Sequence, residues 1–245
     1  MKIPRCTFCW LAAILLFCAG CSNLPGRPAL DSIPVDPDNV TDFNTLYKHN
    51  CSGCHGAEAK GGAALSIGDP VYLAIVDDST LRKVVTSGIA HTSMPAFAKS
   101  AGGMLTESQV DLIIHGIRAR YSQPDALSGA TPPPYSDATP GDAKRGAAVY
   151  EMFCSSCHGP AGKGGPKAGS IVDGSFLALL TDQELRTLVI VGRPDLGAPD
   201  WRNNIPGKPM SPQEISDVVA WLSSQRPQFP GRPYSNAATS AGELP

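Results

Sequence analysis

Cys51-Ser52-Gly53-Cys54-His55 and Cys154-Ser155-Ser156-Cys157-His158 decide the reading of this chain. The pattern Cys-x-x-Cys-His is the spacing of covalent c-type haem attachment. Its two thiols add across the haem vinyl groups as thioethers, and the histidine that follows is placed to ligate the iron. The competing reading is a Cys-x-x-Cys redox pair or half of a zinc site. A zinc site needs further thiolates or histidines nearby, and downstream of His158 the chain has neither.

The sequence around one motif resembles the sequence around the other. With the motifs aligned, Lys60-Gly61-Gly62 meets Lys163-Gly164-Gly165. A residue later in offset, Leu73-Ala74 meets Leu177-Ala178, Leu81-Arg82 meets Leu185-Arg186, and Gly88 meets Gly192. Pro95 then meets Pro199, Phe97 meets Trp201, and Thr106-x-x-Gln109 meets Ser211-x-x-Glu214. A period of about 104 residues marks a duplicated domain rather than a short solenoid repeat. The halves are 40–121 and 142–226. Between them, residues 122–141 carry Pro132-Pro133-Pro134 and read as a semi-rigid linker. Residues 21–39 form a similar Pro-rich stalk, and 227–245 a tail expected to be mobile.

Each half reads as helix. Residues 142–153 lead into the second motif, and 41–50 into the first. Thr181-x-x-Glu184 is a capping box. Ser211-Pro212-x-Glu214 adds a proline at the first helical position, and Ile215, Val218, Val219 and Leu222 follow at i, i+3, i+4, i+7. Thr106-x-x-Gln109 opens the matching helix, with Val110, Ile113, Ile114 and Ile117 on one stripe. No alternating strand pattern stands out, so the fold class is all-α. Each domain has about 80 residues, a marginal size for an unaided apolar core, so the domains are expected to fold poorly without haem.

At the N-terminus, Lys2 and Arg5 precede an apolar run, 8–17, too short to span a bilayer. Residues 1–20 thus read as a signal peptide. Ala19-Gly20-Cys21 resembles a bacterial lipobox, which implies that Cys21 becomes the acylated first residue. Cys18 stands where that pattern has leucine. Plain cleavage to a soluble periplasmic protein is the alternative. Both readings export the chain. Four of the eight cysteines lie in the motifs, and Cys6, Cys9, Cys18 and Cys21 in the leader, so no pair is left for a structural disulfide. Net charge is −2, and without Lys2 and Arg5 it falls to −4, so no basic field argues for nucleic acid.

A helical domain with Cys-x-x-Cys-His near its start and an amphipathic last helix resembles the small class I cytochromes c. The resemblance covers both halves. It implies two tandem class I domains and two covalently bound haem c groups, held by Cys51, Cys54, Cys154 and Cys157, with His55 and His158 as axial ligands. The family's sixth ligand is a methionine before the last helix, usually followed by proline. Ser93-Met94-Pro95 supplies it in the first half, so Met94 is expected there, with Met104 as the fallback.

The second half departs from the pattern, because Ala198 aligns with Met94 and cannot ligate iron. Three readings compete. Met210, the one methionine after His158, reaches in, although it aligns with Leu105 just before the helix cap. Otherwise the second iron stays five-coordinate or water-bound. Lastly, Lys167, Lys208 or one of His49, His91 and His115 crosses over. An open iron calls for acid–base groups nearby, and Arg193, Asp195 and Asp200 are close in sequence, though Arg193-Pro194-Asp195 and Ala198-Pro199-Asp200 also read as proline turns. Arg82 and Arg186, at matched helix positions, face either haem propionates or solvent.

The resemblance implies an exported, lipid-anchored carrier of single electrons in a bacterial respiratory chain. Its redox partners are a quinol-oxidising complex and a terminal oxidase or another cytochrome. One alternative is a redox enzyme with an open second haem, acting on peroxide, nitrogen-oxide or sulfur compounds. The other is a bound haem subunit of a quinol-oxidising or oxidase complex.

Overall fold

In a computed structural model, residues 34–227 are described. The leader with Cys21, most of the stalk and nearly all of the tail lie outside them. The chain divides into two compact units, Met1–Asn39 and Val40–Pro245. The described part of the first holds a 3-10 turn, Pro37–Asn39. The second holds both halves of the repeat.

The first half starts with α1, Phe43–Asn50, capped by Asp42, whose carboxylate accepts from Thr45 N–H. After a one-residue break comes α2, Ser52–His55, the attachment turn itself. Asp69 caps α3, Pro70–Ile75, with proline in its first turn, and Asp77 caps α4, Asp78–Ser87. The half closes with α5, Glu107–Tyr121, behind a complete Thr106–Gln109 capping box. The second half repeats the order: α6, Ala143–Phe153; α7, Ser155–His158; α8, Gly174–Ala178; α9, Asp182–Val191; α10, Pro212–Ser224. Both α9 and α10 begin with complete capping boxes, Thr181–Glu184 and Ser211–Glu214. Such caps are worth about 1 kcal/mol each. Among the described residues there are ten α-helices and no strand, only two isolated bridges, Ala98 to Leu105 and Arg193 to Ala198.

In each half the last helix crosses the first. Tyr150 of α6 stacks on Trp221 of α10 at 4.4 Å, where Gly146 lets the two backbones meet: a Cβ there would strike the Asp217 carbonyl and come within 2.7 Å of the Trp221 Cβ. In the first half the large and small residues trade helices. Gly116 of α5 replaces the tryptophan, and Phe43 of α1 takes the place of the glycine; a Cβ on Gly116 would strike the Phe43 ring. Phe43 packs against Tyr47 at 5.7 Å. The larger apolar cluster runs through both halves, from Leu46, Ile113 and Ile114 to Ile190, Trp201 and Ile215, and a smaller one in the second half holds Leu177, Leu185, Val219 and Leu222.

The linker is laid onto the second half. Arg186 of α9, only 5 % exposed, donates from Nε and Nη2 to the Pro134 carbonyl (3.1 and 3.0 Å) and from Nη1 to Ser216 Oγ (3.1 Å). Asp137 lies 3.5 Å from the same guanidinium. Gln183 donates to the Tyr135 carbonyl at 2.8 Å. Burial pulls the Arg186 guanidinium below its ordinary value, against the pull of Asp137. Arg186 is thus a linker clamp, whereas Arg82 pairs with Asp111 on α5.

Candidate functional site

The first attachment turn begins where α1 ends. The Cys51 N–H donates to the Tyr47 carbonyl (2.8 Å) and the His55 N–H to the Cys51 carbonyl (3.0 Å), so one helical turn sets Cys51, Cys54 and His55 in register. Tyr47 ties the far end by donating its hydroxyl to the Gly56 carbonyl at 2.8 Å. The His55 ring is 9 % exposed, and its Nδ1 lies 2.8 Å from the Leu65 carbonyl. That bond makes Nδ1 the protonated nitrogen and leaves Nε2 free to bind a metal. Burial, and secondarily the charge of Arg193, hold this imidazole below its usual pKa.

The second turn copies each contact. Cys154 N–H donates to Tyr150, and His158 N–H to Cys154. The Tyr150 hydroxyl donates to the Gly159 carbonyl at 2.5 Å. His158 Nδ1 lies 3.0 Å from the Gly169 carbonyl. All four motif cysteines are free thiols, and burial pushes Cys51 and Cys154 up to about 12. Among the described residues no cluster of three or more His, Cys, Asp or Glu forms, so nothing there completes a zinc site. Two cysteines outside any disulfide, one helical turn apart and beside an imidazole whose Nδ1 is held by a backbone carbonyl, fit covalent haem.

The loops before the last helices are also built alike. Ile89 N–H donates to the Met94 carbonyl at 3.0 Å, and Arg193 N–H to the Ala198 carbonyl at 2.9 Å. Gly88 (φ +67°) and Gly192 (φ +70°) start these loops in the left-handed region, where glycine is unstrained. A Cβ on Gly88 would sit 2.5 Å from the Met94 carbonyl oxygen, and one on Gly192 would sit 2.7 Å from that of Ala198. Ala198 therefore stands at the backbone position of Met94. Met94 is half-buried, whereas Met104 is 78 % exposed.

Met210 occupies the Leu105 position. Its N–H donates to the Trp201 carbonyl (2.9 Å), as Leu105 donates to Phe97 (2.7 Å). It is 2 % exposed in the core, and its sulfur lies 3.7 Å from the Asn204 amide. His49, His91, His115 and Lys167 are exposed. Lys208 lies 5.2 Å over the Phe153 ring.

The charged residues near Ala198 are engaged elsewhere. Asp200 binds Arg202 at 2.6 Å, and Arg202 rests over Trp201. Arg193 and Asp195 bind each other and reach into the first half. Arg193 Nη2 donates to the Gly62 carbonyl (2.8 Å), and Gly61 N–H donates to Asp195 Oδ2 (2.9 Å). The guanidinium holds the Asp195 carboxyl well below the usual carboxylate range. Nothing in the sequence joins residues so far apart.

The paired thiols, the oriented imidazoles and the helical frame define a protein that carries haem through thioether bonds. The model described as cytochrome c matches residues 143–226, and that described as cytochrome c oxidase, cbb3-type, subunit III matches residues 38–115. The chain belongs to the c-type cytochromes, with one such domain in each half. It is 29 % identical over 170 residues to the cbb3-type cytochrome c oxidase subunit FixP of Azorhizobium caulinodans (64 % of this chain, 51 % of that one). It is 30 % identical over 145 residues to the subunit CcoP of Rubrivivax gelatinosus (59 % and 41 %). With the cytochrome bc1 complex cytochrome c subunit of Corynebacterium diphtheriae it shares 23 % over 203 residues (76 % and 66 %). The chain spans about half the length of the two cbb3 relatives. Electron transfer through covalent haem c is the function of such domains.

Proposed function

We propose that this chain is a dihaem carrier of single electrons in a bacterial respiratory chain. When bound, covalent haem c supplies a one-electron couple at each attachment turn. The chain's residues do the rest. Cys51 and Cys54, and likewise Cys154 and Cys157, fix a ring edge to a helical turn. His55 and His158 present Nε2 from one side, their tautomers set by Leu65 and Gly169. Met94 presents a thioether to the first iron, which favours the reduced form. The shared core and the clamped linker hold the two sites at a fixed spacing, which suits relay. The duplicated turn, contact for contact, is the observation that carries this reading.

The redox partners are a quinol-oxidising complex and a terminal oxidase or another cytochrome. The printed names of the relatives, subunits of cbb3 oxidase and of the bc1 complex, also favour a bound subunit of such an assembly. The leader supports export, with Cys21 as the acylated anchor on the periplasmic side. Co-purification of other subunits from detergent-solubilised membranes separates a bound subunit from a free shuttle.

Ala198 favours a second reading. With alanine at the Met94 position, the far side of the second iron is left to water or a small ligand such as peroxide, a nitrogen oxide or a sulfur compound. Optical and EPR spectra of the ferric protein, followed by carbon monoxide on the ferrous form, decide between the two. Two low-spin centres that ignore carbon monoxide support the carrier. Half the haem high-spin and reactive supports an open second site.

A further inference from the structure

The 193–198 loop belongs to the second half of the repeat, yet its charged side chains serve the first. Arg193 and Asp195 bind each other through Nε (3.0 Å) and Nη2 (2.8 Å). Their side chains are only 15 % and 10 % exposed. Both touch the Gly61–Gly62 turn, at 2.9 and 2.8 Å. That turn lies directly on the first attachment site. A Cβ on Gly62 would strike the Cys54 carbonyl and come within 2.7 Å of the carbonyl carbon of His55. One layer of backbone separates the ion pair from the first haem turn. The contact runs one way. At the positions of Arg193 and Asp195 the first half carries Ile89 and His91. The second half's own turn closes on itself, with Gly165 N–H donating to the Ala168 carbonyl.

We propose that Arg193 and Asp195 are tuning residues of the first haem site, lent to it by the second domain, so that the first site is complete only when the two halves are docked. This rests on the haem reading of the attachment turns. Oxidising an iron adds a positive charge. A nearby cation opposes that change and a nearby anion favours it, and charges shielded from water are screened little by salt. Within the pair the two effects offset each other. Removing either partner alone exposes the other.

The test is a redox titration of the full-length holoprotein, followed by visible absorbance, with the first haem assigned as the one whose potential falls in Met94→Ala. Arg193→Gln is expected to lower the first haem's potential, and Asp195→Asn to raise it. Arg193→Lys is expected to stay closer to the parent, and the double variant Arg193→Gln/Asp195→Asn to fall between the two singles. A merely structural pair would shift both singles the same way. Shifts of one sign, or shifts confined to the second haem, overturn the proposal. If Arg193→Gln does not accumulate, Asp195→Asn decides by the sign of its shift alone. Haem content of the parent, read by intact mass, is measured first. A parent that carries no haem overturns the reading beneath the proposal, whereas a haem-loaded parent with unshifted variants overturns the tuning role alone.

Discussion

The two halves differ at two places where one would expect them to agree, and only one of these differences is compensated. At the crossing of first and last helices, Gly146 faces Trp221 in the second half and Phe43 faces Gly116 in the first. Large and small have changed helices, and the crossing keeps its volume. Cores accept such exchanges when total volume is kept. At the position expected to supply the sixth ligand, Ala198 stands where Met94 does, on the same backbone hydrogen bond. There the nearest methionine in sequence, Met210, holds the place of Leu105 inside the core. A compensated exchange reports on packing. An uncompensated one on a shared backbone setting marks the place to test whether the two sites differ.

The ligand difference is the largest effect to test. Met94→Ala should turn the first site into a likeness of the second: carbon monoxide binds its ferrous form, and its potential falls by on the order of 0.1 V, a fraction of the roughly 0.8 V that axial ligands span. Ala198→Met should do the reverse at the second site. If Ala198→Met leaves carbon monoxide binding and potential unchanged, the second iron is ligated from elsewhere. The packing difference comes next. Gly146→Ala drives a Cβ into backbone and should cost about 3 kcal/mol, whereas Gly116→Ala meets a ring that can turn and should cost about 1 kcal/mol. Denaturant melts of the holoprotein give both numbers, and equal costs would mean that the two crossings are equally rigid. Arg186→Ala removes the buried linker clamp and should cost about 2 kcal/mol, with new protease cleavage within 122–141 as the sharper readout.

The smallest effect expected is acid sensitivity. Arg145 binds Asp217 through two bonds of 2.8 Å and draws its pKa down to about 2. A carboxyl depressed in the folded state adds stability above its unfolded value, near 3.8, and loses it as the pH falls toward the folded one. Leu112 stands at this position in the first half. Between about pH 4 and pH 2 the second half should therefore loosen first, and Asp217→Asn should flatten that pH dependence. Amide exchange at the two last helices, α5 and α10, measures it; simultaneous loosening would contradict the assignment.

Much of this architecture is legible in the chain, because its signals are local. Thr106, Thr181 and Ser211 announce three helices through boxes spanning four residues. The helices after Asp69 and Asp77 start on a lone aspartate cap without a box, and short helices with little apolar periodicity give weaker signals than 107–121. The attachment turns and the Met94 loop are legible for the same reason. The Phe43–Gly116 exchange is only half visible. Gly116 in place of tryptophan shows a lost contact, but Phe43 shows its role only once the helices cross. Arg186 reads as a surface or propionate arginine until the linker is seen lying on it. Arg193 and Asp195 read as turn residues because their partners, Gly61 and Gly62, are more than 130 positions away.

The one-way contact between the 193–198 loop and the Gly61–Gly62 turn gives the duplicated chain a direction. Twin copies of an ancestral segment begin as equals and can be read in either order. Here the trailing copy carries a fitting for the leading one, and Gly61 and Gly62 of the leading copy receive it. Expressing either half alone would leave Arg193 and Asp195, or the turn that receives them, without its partner. The two halves have ceased to be interchangeable, and their ancestry as repeats no longer predicts their independence.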